Sequence, residues 1–366
     1  VSCDLLQLAA PGVARLQPYQ PGKPIEELER ELGITDIVKL ASNENALGPS
    51  PRVMAASPAI TDLYRYPDGN GFLLKRALAE FHGIRPEQIT LGNGSNDILE
   101  CAARTFLTER NACVYSEHAF AVYPIATQAV GARSIVTPAL NYGHDLPAML
   151  DAITDDTRLI FIANPNNPTG TVLRAGELRH FLDQAPDHLI VVIDQAYYEY
   201  ARSPDYPDCI PWVEEYPNLL VTRTFSKAYG LAALRVGYGV SSPVMADLLN
   251  RVRQPFNVNA VALRLAVIAL QDQAHIERAI RFNADGMRQL IAGLDSMGMH
   301  FIPACTNFIC IDLEQEARPI YDRLLRAGVI VRPVASYGLP NHLRVTVGFE
   351  HENERFLSAL ANILAG

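Results

Sequence analysis

The chain has 366 residues, of which 49% are hydrophobic and 19% charged. This supplies enough apolar surface for a large core and excludes a disordered chain or a disulfide-stapled miniprotein. With Lys+Arg 31 and Asp+Glu 40, the formal net charge is −9, a balance that disfavours general nucleic-acid binding.

The first 35 or so residues carry Pro11, Pro18, Pro21 and Pro24 before a short acidic helix near Pro24 to Leu32. A segment so punctuated builds no core of its own and reads as an arm packed on something else. From about residue 70 the pattern alternates. Leu73 to Phe81 has helical spacing, Ile89 to Leu91 is a short strand, and Gly92-Asn93-Gly94-Ser95 leads into a helix over Asn96 to Leu107. Ala112 to Tyr115 predicts a strand, Ala121 to Val130 a helix, and Ser134 to Val136 a strand. Arg158 to Ala163 and Leu189 to Ile193 are continuous apolar runs rich in branched residues, as strands buried on both faces of a parallel sheet require. Leu219 to Thr222 and Arg235 to Val240 add two more. After about residue 244 the texture changes. Long amphipathic helices fill roughly 260 to 298. Then come strand-like Asn307 to Asp312, a helix near 318 to 327, strands near Val329 to Arg332 and Leu343 to Val347, and a last helix. The reading is an α/β domain over 36–255, a smaller α+β domain over 256–366, and an arm over 1–35.

Six cysteines are scattered with no C-x-x-C pair, which fits reduced thiols in a cytosolic protein. The N-terminal residues lack the basic stretch and apolar block of a secretory signal. The stretch Ala260 to Leu270 is interrupted by Arg264 and falls short of the roughly 18 apolar residues that span a bilayer. The nine histidines show no H-x-H or H-E-x-x-H spacing, so no metal site is expected. No G-x-S-x-G elbow is present either. The expectation is a cytoplasmic protein with no membrane and no nucleic-acid partner.

Ligands of open α/β sheets bind beyond the carboxyl ends of the strands. Four segments stand at those ends: Gly92 to Asp97; Asn164-Pro165-Asn166-Asn167-Pro168-Thr169-Gly170; Asp194-Gln195-Ala196-Tyr197; and Thr224-Phe225-Ser226-Lys227 with Arg235 eight residues on. Each piece has a plainer reading. The glycine turn starts a helix and matches neither a dinucleotide nor a Walker fingerprint. The Asn-Pro segment makes an ordinary double turn. Asp194 caps a helix, Lys227 is solvated surface, and Arg235 pairs with any carboxylate. Together they suit one cofactor, pyridoxal phosphate. It needs a lysine amine for its aldehyde, a carboxylate for its ring nitrogen, donors for its ring hydroxyl, and hydroxyls, an arginine and helix N–H groups for its phosphate.

The sequence resembles the fold-type I pyridoxal phosphate aminotransferases over essentially its whole length. The matching segments are Pro18 to Gly22, Ser42-Asn43-Glu44-Asn45-Ala46-Leu47-Gly48-Pro49, Arg65-Tyr66-Pro67-Asp68, Asn164 to Gly170, Asp194 to Tyr197, Ser226-Lys227 with Arg235, and Val331-Arg332-Pro333 with Arg344. Two positions depart from the usual pattern: Ala46 stands where a proline is common, and Gln195 where an acid is common. The resemblance implies a large domain with a mostly parallel seven-stranded sheet between helices, plus the smaller α+β domain. It implies that Lys227 carries the cofactor and moves the proton, that Asp194 pairs with the ring nitrogen, and that Asn167 and Tyr197 meet the ring hydroxyl. Phe120 aligns with the aromatic that stacks on the ring; its plainer reading is a core aromatic at a helix start. Ser95, Asn96, Thr224, Ser226 and Arg235 are implied at the phosphate. Tyr66 is implied to reach it from a neighbouring subunit, hence a homodimer; a turn tyrosine at the surface is the alternative. Arg344, Arg332, Tyr19 and Asn43 are implied on the substrate side, Tyr19 from the partner chain; for Arg332 the alternative is a surface ion pair. Within the family, the segments resemble the branch serving histidine biosynthesis. That implies small-molecule substrates, with an amino group moving between L-histidinol phosphate and 2-oxoglutarate. An aromatic amino-acid aminotransferase or a threonine-phosphate decarboxylase of the same fold is the alternative.

Overall fold

The computed structural model describes residues 5–57 and 64–366. Cys3, one of the six thiols, lies outside them; the other five cysteines are free. Among the described residues, no helix is long and apolar enough to cross a membrane.

Seven strands form the main sheet. In spatial order they are Ile89–Gly92, Gly237–Val240, Leu219–Thr224, Ile190–Asp194, Thr157–Ala163, Ala112–Ser116 and Arg133–Thr137. Gly237–Val240 runs antiparallel to both its neighbours and the remaining pairs are parallel. The apolar runs reflect burial on two faces. Ile160 and Ile162, with Val191 and Ile193, join one core cluster, which includes helix residues from Phe72–His82, Ala175–Gln184 and Ala260–Gln271. Leu159, Phe161 and Val192 point the other way, into a cluster with Ser95–Phe106, Val122–Ala129 and Pro243–Val252. One residue of offset switches the face, as the pleat requires. Only the edge strand Arg133–Thr137 is largely exposed, and it is the one with a charged start.

A second, antiparallel sheet has the order His300–Ile302, Phe308–Asp312, His342–Thr346, Arg332–Pro333. Its core takes Ile309, Ile311, Leu343 and Val345 together with Leu290 and Leu294 of the helix Gln273–Ser296 and Phe356 and Leu360 of Glu350–Ala365.

The apolar clusters divide elsewhere than at 35/36 and 255/256. Ala262, Leu265 and Ala266 belong to the larger core, because Ala260–Gln271 packs on the helices Phe72–His82 and Pro51–Ala56. Val38 and Leu40 belong to the smaller one, because Val38–Lys39 pairs in parallel with Val329–Ile330. The strand expected over Val329 to Arg332 is therefore two short pieces serving two sheets. The segment 38–43 leaves the arm, crosses the small domain and delivers Asn43 to the gap between the sheets.

Candidate active site

The parallel register sets the carboxyl ends of the central strands side by side: Ala163 lies opposite Asp194, Asp194 opposite Thr222, and Thr224 opposite Gly237. Beyond these ends, and under the small sheet, is a cavity of about 330 Å³. Every expected site residue except Tyr66 lines it.

Asp194 does not cap a helix. It is 5% exposed; its Oδ1 accepts from Thr222 Oγ1 at 2.9 Å and its Oδ2 from Tyr123 Oη at 3.0 Å. Burial raises its pKa, and the hydrogen bonds from Thr222 and Tyr123 and the nearby Lys227 oppose that rise. Neither Thr222 nor Tyr123 was singled out from sequence. The available signals were a polar residue in an apolar strand and a tyrosine one helical turn beyond Phe120.

Lys227 is not solvated surface. Its Nζ donates to Ser42 O at 3.3 Å and lies 5.6 Å from the Tyr197 ring centre. Burial, then the Arg344 and Arg235 charges, push its amine down to about 7. About half of the amine is then neutral at pH 7, the form in which an amine can act as a nucleophile. Tyr197 is buried and accepts from Asn43 Nδ2 at 2.8 Å. Asn43 is held at φ 55° by its own N–H to Thr346 Oγ1 and by Asn307 Nδ2 on its carbonyl.

At the opposite end the helix Ser95–Phe106 starts at Gly94, φ 82°, with no side-chain cap. Its first N–H groups therefore face the cavity as an anion site. Arg235 sits two residues before the strand Gly237–Val240 rather than in it, at φ 53°. That turn aims its guanidinium back at the helix start. A Cβ on Gly94 would come within 2.7 Å of Arg235 Nη2, and one on Gly237 within 2.4 Å of Ser95 N. Both glycines are thus required for so close an approach. Arg235 Nη1 also reaches Ser226 Oγ at 3.5 Å, and Thr224 Oγ1 accepts from Ser226 N at 3.1 Å. Hydroxyls, a guanidinium and helix N–H groups together form a cup for a phosphate. Phe120 stands at the cavity wall, edge-on to Tyr123 at 5.9 Å. The cup, the amine, the carboxylate and the aromatic wall fit pyridoxal phosphate, end for end.

The small domain supplies the other wall. Arg332 and Arg344 face each other directly across an antiparallel pair, and both are buried, at 8% and 5% exposed. Like charges so placed repel, which suits a pair built to share an anionic ligand. Arg344 donates to Asn167 Oδ1 at 2.5 Å and to Ala41 O at 3.0 Å, while its Nε has no partner among the described residues. Arg332 is not a surface ion pair: it donates to Gln20 O and lies 5.6 Å from the Tyr19 ring centre. Tyr19, expected from a partner chain, lines its own chain's cavity. The start of the arm meets the helix Val122–Ala129, where Gln128 donates to Gly12 O, and its later part packs on the small domain through buried Leu28 beside Ala41 and Ile330 and through Arg332 on Gln20 O. Tyr66 is 83% exposed and stacks on Phe256 at 4.8 Å, away from this cavity.

Fold and site define a pyridoxal phosphate-dependent aminotransferase. The pattern of the family described as aminotransferase class I and II matches residues 35–360. Histidinol-phosphate aminotransferase 2 of Pseudomonas fluorescens is 61% identical, covering 100% of both chains; its Pseudomonas aeruginosa counterpart is 57% identical over 99% of each. The crystal structure of histidinol-phosphate aminotransferase from Sinorhizobium meliloti in complex with pyridoxal 5'-phosphate superposes with a TM-score of 0.91 at 28% identity, covering 97% of each chain. The chain belongs to the class I and II aminotransferases and, within them, to the histidinol-phosphate aminotransferases.

Proposed function

We propose that the protein transfers an amino group between L-histidinol phosphate and 2-oxoglutarate in histidine biosynthesis. The observation that carries this reading is the buried Arg332–Arg344 pair facing the same cavity as Lys227 and Asp194. An amine and a carboxylate serve any enzyme of this class. Two adjacent guanidiniums select a substrate with a strongly anionic end, and they serve a phosphate and a dicarboxylate in turn.

Bound in the cavity, pyridoxal phosphate supplies a reactive aldehyde and a ring that accepts an electron pair. Ser95 and Asn96 bind its phosphate through backbone N–H groups, with Thr224, Ser226 and Arg235. Asp194 holds a proton on its ring nitrogen. Asn167 and Tyr197 orient its ring hydroxyl, and Phe120 its face. Lys227 Nζ would hold the cofactor's aldehyde end and, when free, would take the proton from the substrate's amino-bearing carbon and return one. Arg344 grips the substrate's anionic group, and Arg332 and Tyr19 add contacts to its phosphate. Asn43 lines the substrate side.

A homodimer completes the cup in this reading. Tyr66 borders an apolar cavity of about 630 Å³ that includes Leu73, Leu74, Leu263, Val267 and Ile268. A second copy seated there takes Tyr66 to its own cofactor phosphate. Free thiols of this kind suit the reducing cytoplasm. The test is to add histidinol phosphate to the purified, cofactor-loaded protein and follow the cofactor's absorbance. A rapid change, reversed by 2-oxoglutarate, is expected. A rapid change with phenylalanine and none with histidinol phosphate rejects the proposal.

A further inference from the structure

Both carboxylate oxygens of Asp194 are engaged by hydroxyl donors that come from different elements. Thr222 arrives by register, as the residue opposite Asp194 on the next strand. Tyr123 arrives from the helix Val122–Ala129, packed on the sheet's face. Its side chain is fully buried, with the ring stacked on Phe161 at 4.6 Å and 5°. Burial and the Asp194 charge both push its phenol up, so it keeps its proton and acts on Asp194 as a donor. That donor matters because burial drives a carboxyl toward its neutral form, and a neutral acid cannot hold a proton on a ring nitrogen by charge. Phe120 lies three residues earlier and touches the edge of the same phenol ring. One turn of chain thus supplies both the wall of the cavity and the support of the carboxylate behind it.

We infer that Tyr123 is a positioning residue: with Thr222 it fixes the rotation of Asp194 and keeps it an anion facing the cofactor's ring nitrogen. The inference rests on the cofactor reading above and goes beyond it by assigning the proton-holding strength of Asp194 to a residue that touches neither cofactor nor substrate.

Tyr123→Phe keeps the ring and its stack on Phe161 and removes only the donor. Apo protein of the wild type, Tyr123→Phe, Thr222→Val and Thr222→Ser is titrated with pyridoxal phosphate. The affinity and the pH midpoint of the bound cofactor's absorption band are read, then kcat and KM. Losing a hydrogen bond to a charged group predicts about tenfold weaker cofactor binding in Tyr123→Phe and about tenfold lower kcat, with KM for the amino donor within about twofold. The band midpoint moves with it. Thr222→Val changes all three in the same sense, and Thr222→Ser restores them. Cofactor affinity and band midpoint unchanged in Tyr123→Phe overturn the inference while leaving the enzyme reading intact. Wild-type protein that fails to take up pyridoxal phosphate overturns both.

Discussion

The two walls of the cavity are held in different ways. On the large-domain wall, Asp194 is fixed by Thr222 from the adjacent strand and Tyr123 from a packed helix, and Arg235 by the turn that precedes its own strand. On the small-domain wall, Arg344 and Arg332 lean on carbonyls 303 and 312 positions earlier in the chain, at Ala41 and Gln20. The cofactor wall rests mainly on the main sheet's register and local turns, whereas the arginines of the substrate wall, set opposite each other by the small sheet's register, are also tied to the N-terminal segment. In the proposed reading, chemistry shared by the whole class sits on the first, and the choice of substrate on the second.

Substitutions on the two walls should therefore fail differently. Lys227→Ala carries the largest effect. The cofactor still binds through Asp194 and the phosphate cup, but single-turnover rates fall by at least about 10⁴-fold. Retained turnover near the wild-type rate contradicts the role given to its amine. Asp194→Asn removes the charge at the ring nitrogen; a loss of about 10²-fold or more in kcat is expected, with weaker cofactor binding. An unchanged rate removes Asp194 from the mechanism. On the other wall, Arg344→Lys loses the planar fork. A fall of about 10²-fold in kcat/KM for both substrates is expected, with a far smaller change in pyridoxal phosphate affinity, passed on through the Arg344 contact to Asn167. If cofactor affinity drops in step, the distinction between the walls is wrong.

The smallest effect is one of pH on the apo protein. The Lys227 amine is pushed down to about 7 from its ordinary 10.5. Between those values the unfolded chain binds a proton that the folded chain does not, so stability from this group rises with pH across that window. Below about pH 7 both states are protonated and the whole penalty for burying the charge remains. Lys227→Met should melt higher than the wild-type apo protein at pH 7.5, by about 1–2 °C per kcal/mol of penalty relieved. The gap should close toward pH 10. A gap independent of pH shows that the amine is not perturbed by its site.

Much of this was legible in the chain. Continuous branched runs at Arg158 to Ala163 and Leu189 to Ile193 mark buried parallel strands, because a strand covered on both faces needs apolar residues at every position. The strand-end rule then gathers Ser95, Asn167, Asp194 and Lys227 from their positions in the chain alone. Tyr123 and Thr222 escape it because a tyrosine on a helix and a threonine in a strand carry no local mark of the carboxylate they meet. Tyr19 is hidden from sequence for a related reason: its contact with Arg332 lies some 300 residues away and its own prolines do not mark it. Sequence alone marked most strands of the main sheet and the candidate reacting groups at their ends, since those follow from periodicity and from the chemistry of each side chain. Only the tertiary structure decided that the Lys227 amine holds its proton less firmly, that two arginines stand opposite each other, and which hydroxyls hold Asp194, because burial and long-range contact exist only after the chain has folded.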